Sequence, residues 1–293
     1  MKVKTDDVIE NDLVYKHKLR TGEVRNLWVS RILIWFFVLF ALFPIFSVIS
    51  ASLTKGDTFF STTLWPKSIT FSNYTKVLQE TDFKIWMKNS LILCTSVALI
   101  QLVISIFAAY AFSRMKFKGR KNGLMGLLIL QMFPAVMFMP AILSVCFKIG
   151  LLDQFWALII LLAAGSAYNI WLLKGFIDSL PKELDEAAMV DGASHFQVFT
   201  KIILPLSKPM LAVIFLFSFI GVYSEFIYTS ALMRDADNQT LATGLQQFIN
   251  NAFSAHWTQF SAAAVMATIP VAILFMASQR FISKGLTAGA VKG

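Results

Sequence analysis

Few groups in this 293-residue chain are placed to do chemistry, and the most telling of them sit in apolar surroundings. Glu225 lies eight residues before the end of an apolar run over 209–233. At helical rise that is about 12 Å into the hydrocarbon, where a carboxylate is costly enough to imply a role. Such a group either lines a hydrophilic pathway, meeting a proton, a cation or a polar cargo, or ties its helix to a neighbour. Gln101, Gln131 and Asn169 have the same two uses, and joining helices is the simpler one for an amide. Motifs for covalent chemistry are missing. The chain contains no GxxxxGK(S/T), HExxH or GxSxG, and His17, His195 and His256 are scattered over polar segments. Neither catalysis nor P-loop ATP binding is expected, and no cofactor or metal site is implied. Cys94 and Cys146 both fall within apolar runs and read as packing residues.

These groups must be positioned by membrane helices. The sequence is 57% hydrophobic and only 15% charged, with mean hydropathy +0.66, which excludes an ordinary soluble domain. Apolar runs at about 28–50, 90–112, 123–147, 155–177, 209–233 and 260–282 are each long enough to cross about 30 Å of hydrocarbon. The fold class is therefore all-α: a polytopic membrane protein of six transmembrane helices, with an N-terminal arm over 1–27 and a single membrane domain over 28–293. The first run exceeds a signal-peptide core and reads as an uncleaved span, bent at Pro44. Pro134, Pro140 and Pro270 permit further bends.

The net charge of +9 does not call for nucleic acid, because the basic residues sort by membrane side. Nineteen of the 26 lie in 2–31, in 113–122, around 174–208 or in 280–293. That side is expected to be cytoplasmic, with both termini on it. The remaining long loops face outward. Residues 51–89 are expected to cap the outer mouth. Leu241, Leu245, Phe248, Ile249 and Phe253 fit an amphipathic helix. That helix either rests in the interface or, through Phe248, Asn250, Asn251 and Phe253, meets an external partner.

The most informative stretch is a polar island over 180–209 on the cytoplasmic side. Pro181 and the acidic residues Glu183, Asp185 and Glu186 suit the start of a helix, and Leu184, Ala187 and Ala188 form one stripe on it. Gly192 is a natural residue after the helix end, and Ser194 with Gln197 makes a capping box for a second helix. That helix carries Phe196, Phe199 and Ile203 on one side and is expected to stop at Pro205. Small alanines beside uncovered phenylalanines make this pair either a docking surface or a membrane-resting element.

Glu186, Ala187, Ala188, Asp191, Gly192, Ala193, Phe199, Ile202, Leu204, Pro205 and Pro209 match the EAA-loop pattern: EAA, DGA three residues on, then I-x-LP. On those residues the chain resembles the membrane subunits of carbohydrate-type ATP-binding-cassette importers. Residues 110–117, 131–136 and 285–293 further resemble the smaller membrane subunit of maltose/maltodextrin permeases. The resemblance implies a bacterial-type cytoplasmic membrane and a homologous larger permease subunit. It also implies two ATPase subunits that hold the ATP and Mg, and an extracytoplasmic sugar-binding protein. It makes the island, with Phe196, the ATPase-docking element and assigns Gly285, Leu286, Thr287, Gly289 and Lys292 to a tail contact with the ATPase. Glu225, Gln131 and Asn169 remain candidates for the pathway on their own chemistry. The alternative from another class is an ion-coupled secondary transporter that uses Glu225; a non-transporting scaffold leaves the EAA spacing without a purpose.

Overall fold

The computed structural model describes residues 21–56, 65–66, 68–250 and 256–290, with side chains described throughout except at 21–24, 135, 280 and 282–290. The chain divides into two compact units, 1–47 and 48–293. The first is dominated by α1 (Thr21–Ser52), which contains Pro44 and whose Arg25–Ser52 portion reaches a mean hydropathy of 2.8. Its circumference is apolar all round, as a membrane-crossing helix requires.

The second unit is built from α2 (Ser72–Glu80), α3 (Phe83–Arg114), α4 (Arg120–Gln131), α5 (Ala135–Lys148), α6 (Phe155–Ala163) and α7 (Ala167–Ser179). It continues through α8 (Glu183–Val190), α9 (His195–Val198), a π-helical turn (Phe199–Ile203), α10 (Leu204–Tyr223), α11 (Ile227–Leu232), α12 (Leu241–Gln247) and α13 (Trp257–Ala290). Among the described residues the extended pairing is one isolated bridge, Thr54 with Ile69. Four of the described helices are long and apolar enough to cross a membrane, and there are six spans if two bent pairs each count as one.

Both bent pairs have local causes. Pro134 lacks an N–H and holds φ −59, ψ 128, so α4 ends and α5 starts at an angle of 92°. Between α6 and α7 the chain turns by 43° through Ala164, Gly165 and Ser166. The apolar run over 209–233 is divided as well: α10 stops at Tyr223, and α11 begins after Ser224–Phe226. The span limits shift too. α3 starts at Phe83 rather than near 90, and the fifth span begins far upstream of 209, because the helix from His195 to Tyr223 is continuous for 29 residues.

α3 runs through all three layers of the core. Near the island, Ile106, Ala109 and Tyr110 pack with Ile170, Leu173, Phe199, Ile203 and Ile214. In the middle, Leu93, Cys94, Val97 and Ala98 meet Leu158, Phe219 and Val222. At the far end, Phe83 and Trp86 meet Leu241, Phe248, Ala262 and Ala263. Small side chains let the axes approach, as Ala98, Ser105 and Ala109 on α3 and Ser207 on α10 are fully buried. Asn73 anchors α2 within the second unit by donating Nδ2 to the carbonyls of Ser52 (2.9 Å) and Thr54 (2.8 Å).

The far-end layer depends on one glycine. A Cβ on Gly244 would stand 2.1 Å from Cδ2 of Trp86, whose ring is held edge-on by Phe248 at 6.1 Å. Gly244→Ala is therefore expected to overpack this layer and cost about 1–3 kcal/mol. A melting temperature in detergent equal to that of the wild type would show that the ring has room to move.

Candidate functional site

The island forms as its local chemistry dictates. α8 ends in a Schellman turn: Ala193 N donates to Ala188 O (2.9 Å), Gly192 N donates to Met189 O (3.0 Å), and Gly192 sits at φ +86. Ser194 and Gln197 close a reciprocal capping box at 3.3 and 2.7 Å. The second helix does not stop at Pro205. It passes through the π turn, in which Leu204 N reaches back to Phe199 O, and runs on as α10. The widened turn lets the ring of Pro205, which has no N–H to give, be accommodated without ending the helix. The island's second helix and the membrane span are thus one continuous rod.

Of the docking residues inferred from sequence, Glu186, Ala187, Asp191, Gly192, Phe196 and Pro205 are exposed, and Ala188, Ala193, Ile202 and Leu204 are half-buried. Phe199 is not available to a partner. It is buried, with ring centroids 5.0 Å from Phe107 and 5.1 Å from Tyr110, because α3 supplies its cover. Val190, 88% exposed, and Met189 extend the apolar part of the outer face, and no periodic signal in the sequence marks them. The backbone at Gly285, Leu286, Thr287 and Gly289 is helical within α13, whereas Lys292 lies outside the described residues.

The inner face of the island carries groups that sequence reasoning used only for their charge. Asp185 is buried and ion-paired with Arg114 Nε at the last residue of α3, each side chain 7% exposed. Arg114 also donates to Leu180 O (3.0 Å), Ser113 Oγ donates to Asp178 Oδ1 (2.5 Å), and Tyr110 OH donates to His195 O (3.2 Å). The charge sorting that explains a basic residue after an apolar run concealed Arg114. Its distinguishing signal is its position before the Lys116–Lys121 cluster rather than within it.

A largely apolar cleft lies in the middle of the unit, about 470 Å³, lined by Gln101, Gly165, Tyr168, Asn169, Phe217, Ser218 and Gly221 among others. The structure brings Gln101, Gln131 and Asn169 together here. Asn169 Nδ2 donates to Gln101 Oε1 (3.1 Å) and Ser218 Oγ (2.9 Å), and Gln101 Nε2 donates to Leu162 O (2.9 Å). Gln131, exposed at the end of α4, accepts from Tyr168 N at 3.1 Å. The amides therefore join helices and repair the α6–α7 break. Tyr168, Phe217 and Gly221 remain exposed beside them.

Glu225 is apart from this cleft. It sits in the α10–α11 break and accepts from Tyr228 N (2.7 Å), Thr229 N (3.0 Å) and Thr229 Oγ1 (2.7 Å). It thereby caps α11 within its own chain, a local role not among those read for it from sequence. At the far end, Phe248 does not face outward. It is buried against Trp86, since the helix there ends at Gln247, well short of the amphipathic stretch expected through Phe253. Asn250 is exposed; Asn251 and Phe253 lie outside the described residues. Among the described residues no group of three His, Cys, Asp or Glu side chains is disposed to hold a metal ion.

A cleft between helices with amide side chains at its wall, helix breaks repaired by side chains and an exposed helix pair whose second member is continuous with a span define a multi-pass membrane transport subunit. Residues 101–288 match the family described as binding-protein-dependent transport system inner membrane component, and the chain belongs to that family. It is 37% identical over 253 residues to the maltodextrin transport system permease protein MdxG of Bacillus subtilis (strain 168), covering 86% of this chain and 91% of that one. It is 36% identical to the galactooligosaccharides transport system permease protein GanQ of the same organism and to the maltose/maltodextrin transport system permease protein MalG of Escherichia coli (strain K12). Each of these two comparisons covers 92% of this chain and 96% of the relative. The crystal structure of a bacterial ABC transporter involved in the import of the acidic polysaccharide alginate superposes with a TM-score of 0.77 at 25% identity, over 90% of this chain and 99% of that one. A second structure, an alginate transporter in complex with a pentasaccharide-bound periplasmic protein, shares the fold at 18% identity and a TM-score of 0.68, over 87% of this chain and 93% of that one.

Two substitutions probe the local geometry. Gly192→Ala meets no atom within 4 Å, so its cost is that of the left-handed backbone alone, about 1–2 kcal/mol. Glu225→Ala removes the cap of α11 and is expected to cost about 0.5–2 kcal/mol. Thermal unfolding of the purified chain in detergent measures both; a Glu225→Ala protein as stable as the wild type would show that α11 is held by packing instead.

Proposed function

We propose that this chain is the smaller membrane subunit of an importer that carries an oligosaccharide, of the maltodextrin class, across a bacterial cytoplasmic membrane. ATP is hydrolysed elsewhere, in two partner ATPase subunits that hold the Mg, while this chain binds no cofactor and catalyses nothing. A homologous larger subunit completes the pathway, and an extracytoplasmic binding protein delivers the sugar. Both termini and the island lie on the cytoplasmic side, where most of the basic residues fall.

The observation that carries this reading is the continuity of the island with α10. An ATPase seated on Glu186, Ala187 and Asp191 of α8 and its turn, and on Phe196 of the second helix, presses on an element whose second helix runs directly into the membrane. The exposed aromatic side chains of Tyr168 and Phe217 in the cleft suit the apolar face of a sugar ring, while Gln101, Asn169 and Ser218 behind them are engaged with one another. The relatives named for maltodextrin and galactooligosaccharides support the substrate class. Coupling to an ion through Glu225 is the weaker reading, since that carboxylate is already engaged by three donors of α11.

The test is purification in mild detergent from cells that express the whole transport system, followed by uptake of labelled maltotriose into vesicles. An ATPase and a second membrane subunit are expected to co-purify, and uptake is expected to need ATP and the binding protein. Uptake by the chain alone, abolished by an uncoupler, would overturn the proposal. Gly192→Pro is expected to leave the subunit inserted while separating ATP hydrolysis from uptake, and normal uptake by this variant would sink the lever.

A further inference from the structure

The rod from island to membrane has a flaw as a transmitter. Between α9 and α10 it passes through the π turn, where the regular hydrogen-bond ladder is replaced by the reach of Leu204 N to Phe199 O, and Pro205 then contributes no N–H at all. A lever with a weakened joint at its fulcrum needs a brace.

α3 provides one. Within its last two turns, Tyr110 holds the first carbonyl of α9, Ser113 holds Asp178 near the end of α7, and Arg114 holds both the Leu180 carbonyl and the Asp185 carboxylate of α8. Asp185 lies on the buried side of α8, while its neighbours Glu186 and Ala187 are exposed for docking. A push on the outer face of α8 therefore loads the Arg114–Asp185 pair. A buried ion pair is a poor source of net stability, because apolar residues of similar volume often serve as well, so its value lies in fixing one arrangement. Asp185 Oδ1 has no hydrogen-bond partner, which leaves Arg114 as the group that holds this carboxylate.

We propose that the buried Arg114–Asp185 pair is the clamp through which the movement of the island enters α3, and that these two are positioning residues for coupling. Since α3 runs through all three core layers, movement gripped at Arg114 reaches the cleft at Gln101 and the far-end layer at Trp86 without crossing the π turn. The inference rests on the importer reading above.

Its test reads alternating access without reference to the cargo. In the complete complex with Cys146→Ala, a cysteine introduced by Gly221→Cys in the cleft reports exposure to a membrane-impermeant thiol reagent, with and without ATP, against the same complex without Gly221→Cys as the background; Cys94 is buried. ATP is expected to change the labelling rate in the parent. Arg114→Gln and Asp185→Asn are each expected to reduce that ATP-dependent change about tenfold while the complex still co-purifies, and the exchange Arg114→Asp with Asp185→Arg is expected to recover most of it. Arg114→Lys, which keeps the charge but loses the fork to Leu180 O, is expected to fall between. Single variants with the full ATP-dependent change would overturn the clamp. So would single variants whose loss follows loss of assembly alone, or an assembled exchange variant without recovery. A parent that labels identically with and without ATP would instead overturn the importer reading, and the clamp with it.

Discussion

Hydrocarbon offers no hydrogen-bond partner, so a helix can break inside a membrane only where some other group closes the opened backbone. The second unit of this chain is organised around meeting that demand. At the α6–α7 break, Gln101 from α3 takes up the carbonyl of Leu162, and Gln131 from the end of α4 accepts the amide of Tyr168. At the α10–α11 break, Glu225 takes the first free amides of α11 with both of its oxygens. Gln101, which helps make the α6–α7 break tolerable, also lines the cleft beside it, so one side chain closes the opened backbone and shapes the cleft wall.

The island meets a different obligation. It must keep one face open and the other fixed. Its outer residues are held open by two short helices that cap themselves locally, through the Gly192 turn and the Ser194–Gln197 box. Its inner face is fixed from outside, by the aromatic seat of Phe199 and by the ion pair on α8. Local capping alone would leave a hairpin free to tilt. The contacts from α3 turn it into part of the membrane unit.

How much of this was legible depends on the range of the interactions. The all-α membrane fold, the first helix of the island, its turn and its second cap depend on neighbours in sequence, and Pro181, Gly192 and Ser194 announce them plainly. The limits of the helices were less legible. Pro205 carries the usual sign of a helix end, yet a π turn upstream absorbs it, and nothing in the local sequence distinguishes the two outcomes. The breaks at Gly165 and Glu225 were hidden because apolar runs of ordinary length surround them, and at Gly165 the repairing groups also come from as far away as Gln101. Phe199 and Phe248 show the limit of periodicity. Each lies on an apolar stripe, and in each case a distant part of α3 covers it, Phe107 and Tyr110 in the one and Trp86 in the other.

The π turn also sets an angle. An α-helix advances about 100° per residue, and a π turn takes in one extra residue without passing that rotation on to the helix beyond it. If Phe199–Ile203 were wound as a regular α-helix, α9 would be turned by about 100° against α10. Phe199 would then leave its place between Phe107 and Tyr110, and the His195 carbonyl would point away from the Tyr110 hydroxyl. Winding all five residues as regular helix would thus keep every element of the subunit and misdirect its docking face, so the extra residue taken up at this point acts as a phase setting between the membrane and whatever drives it.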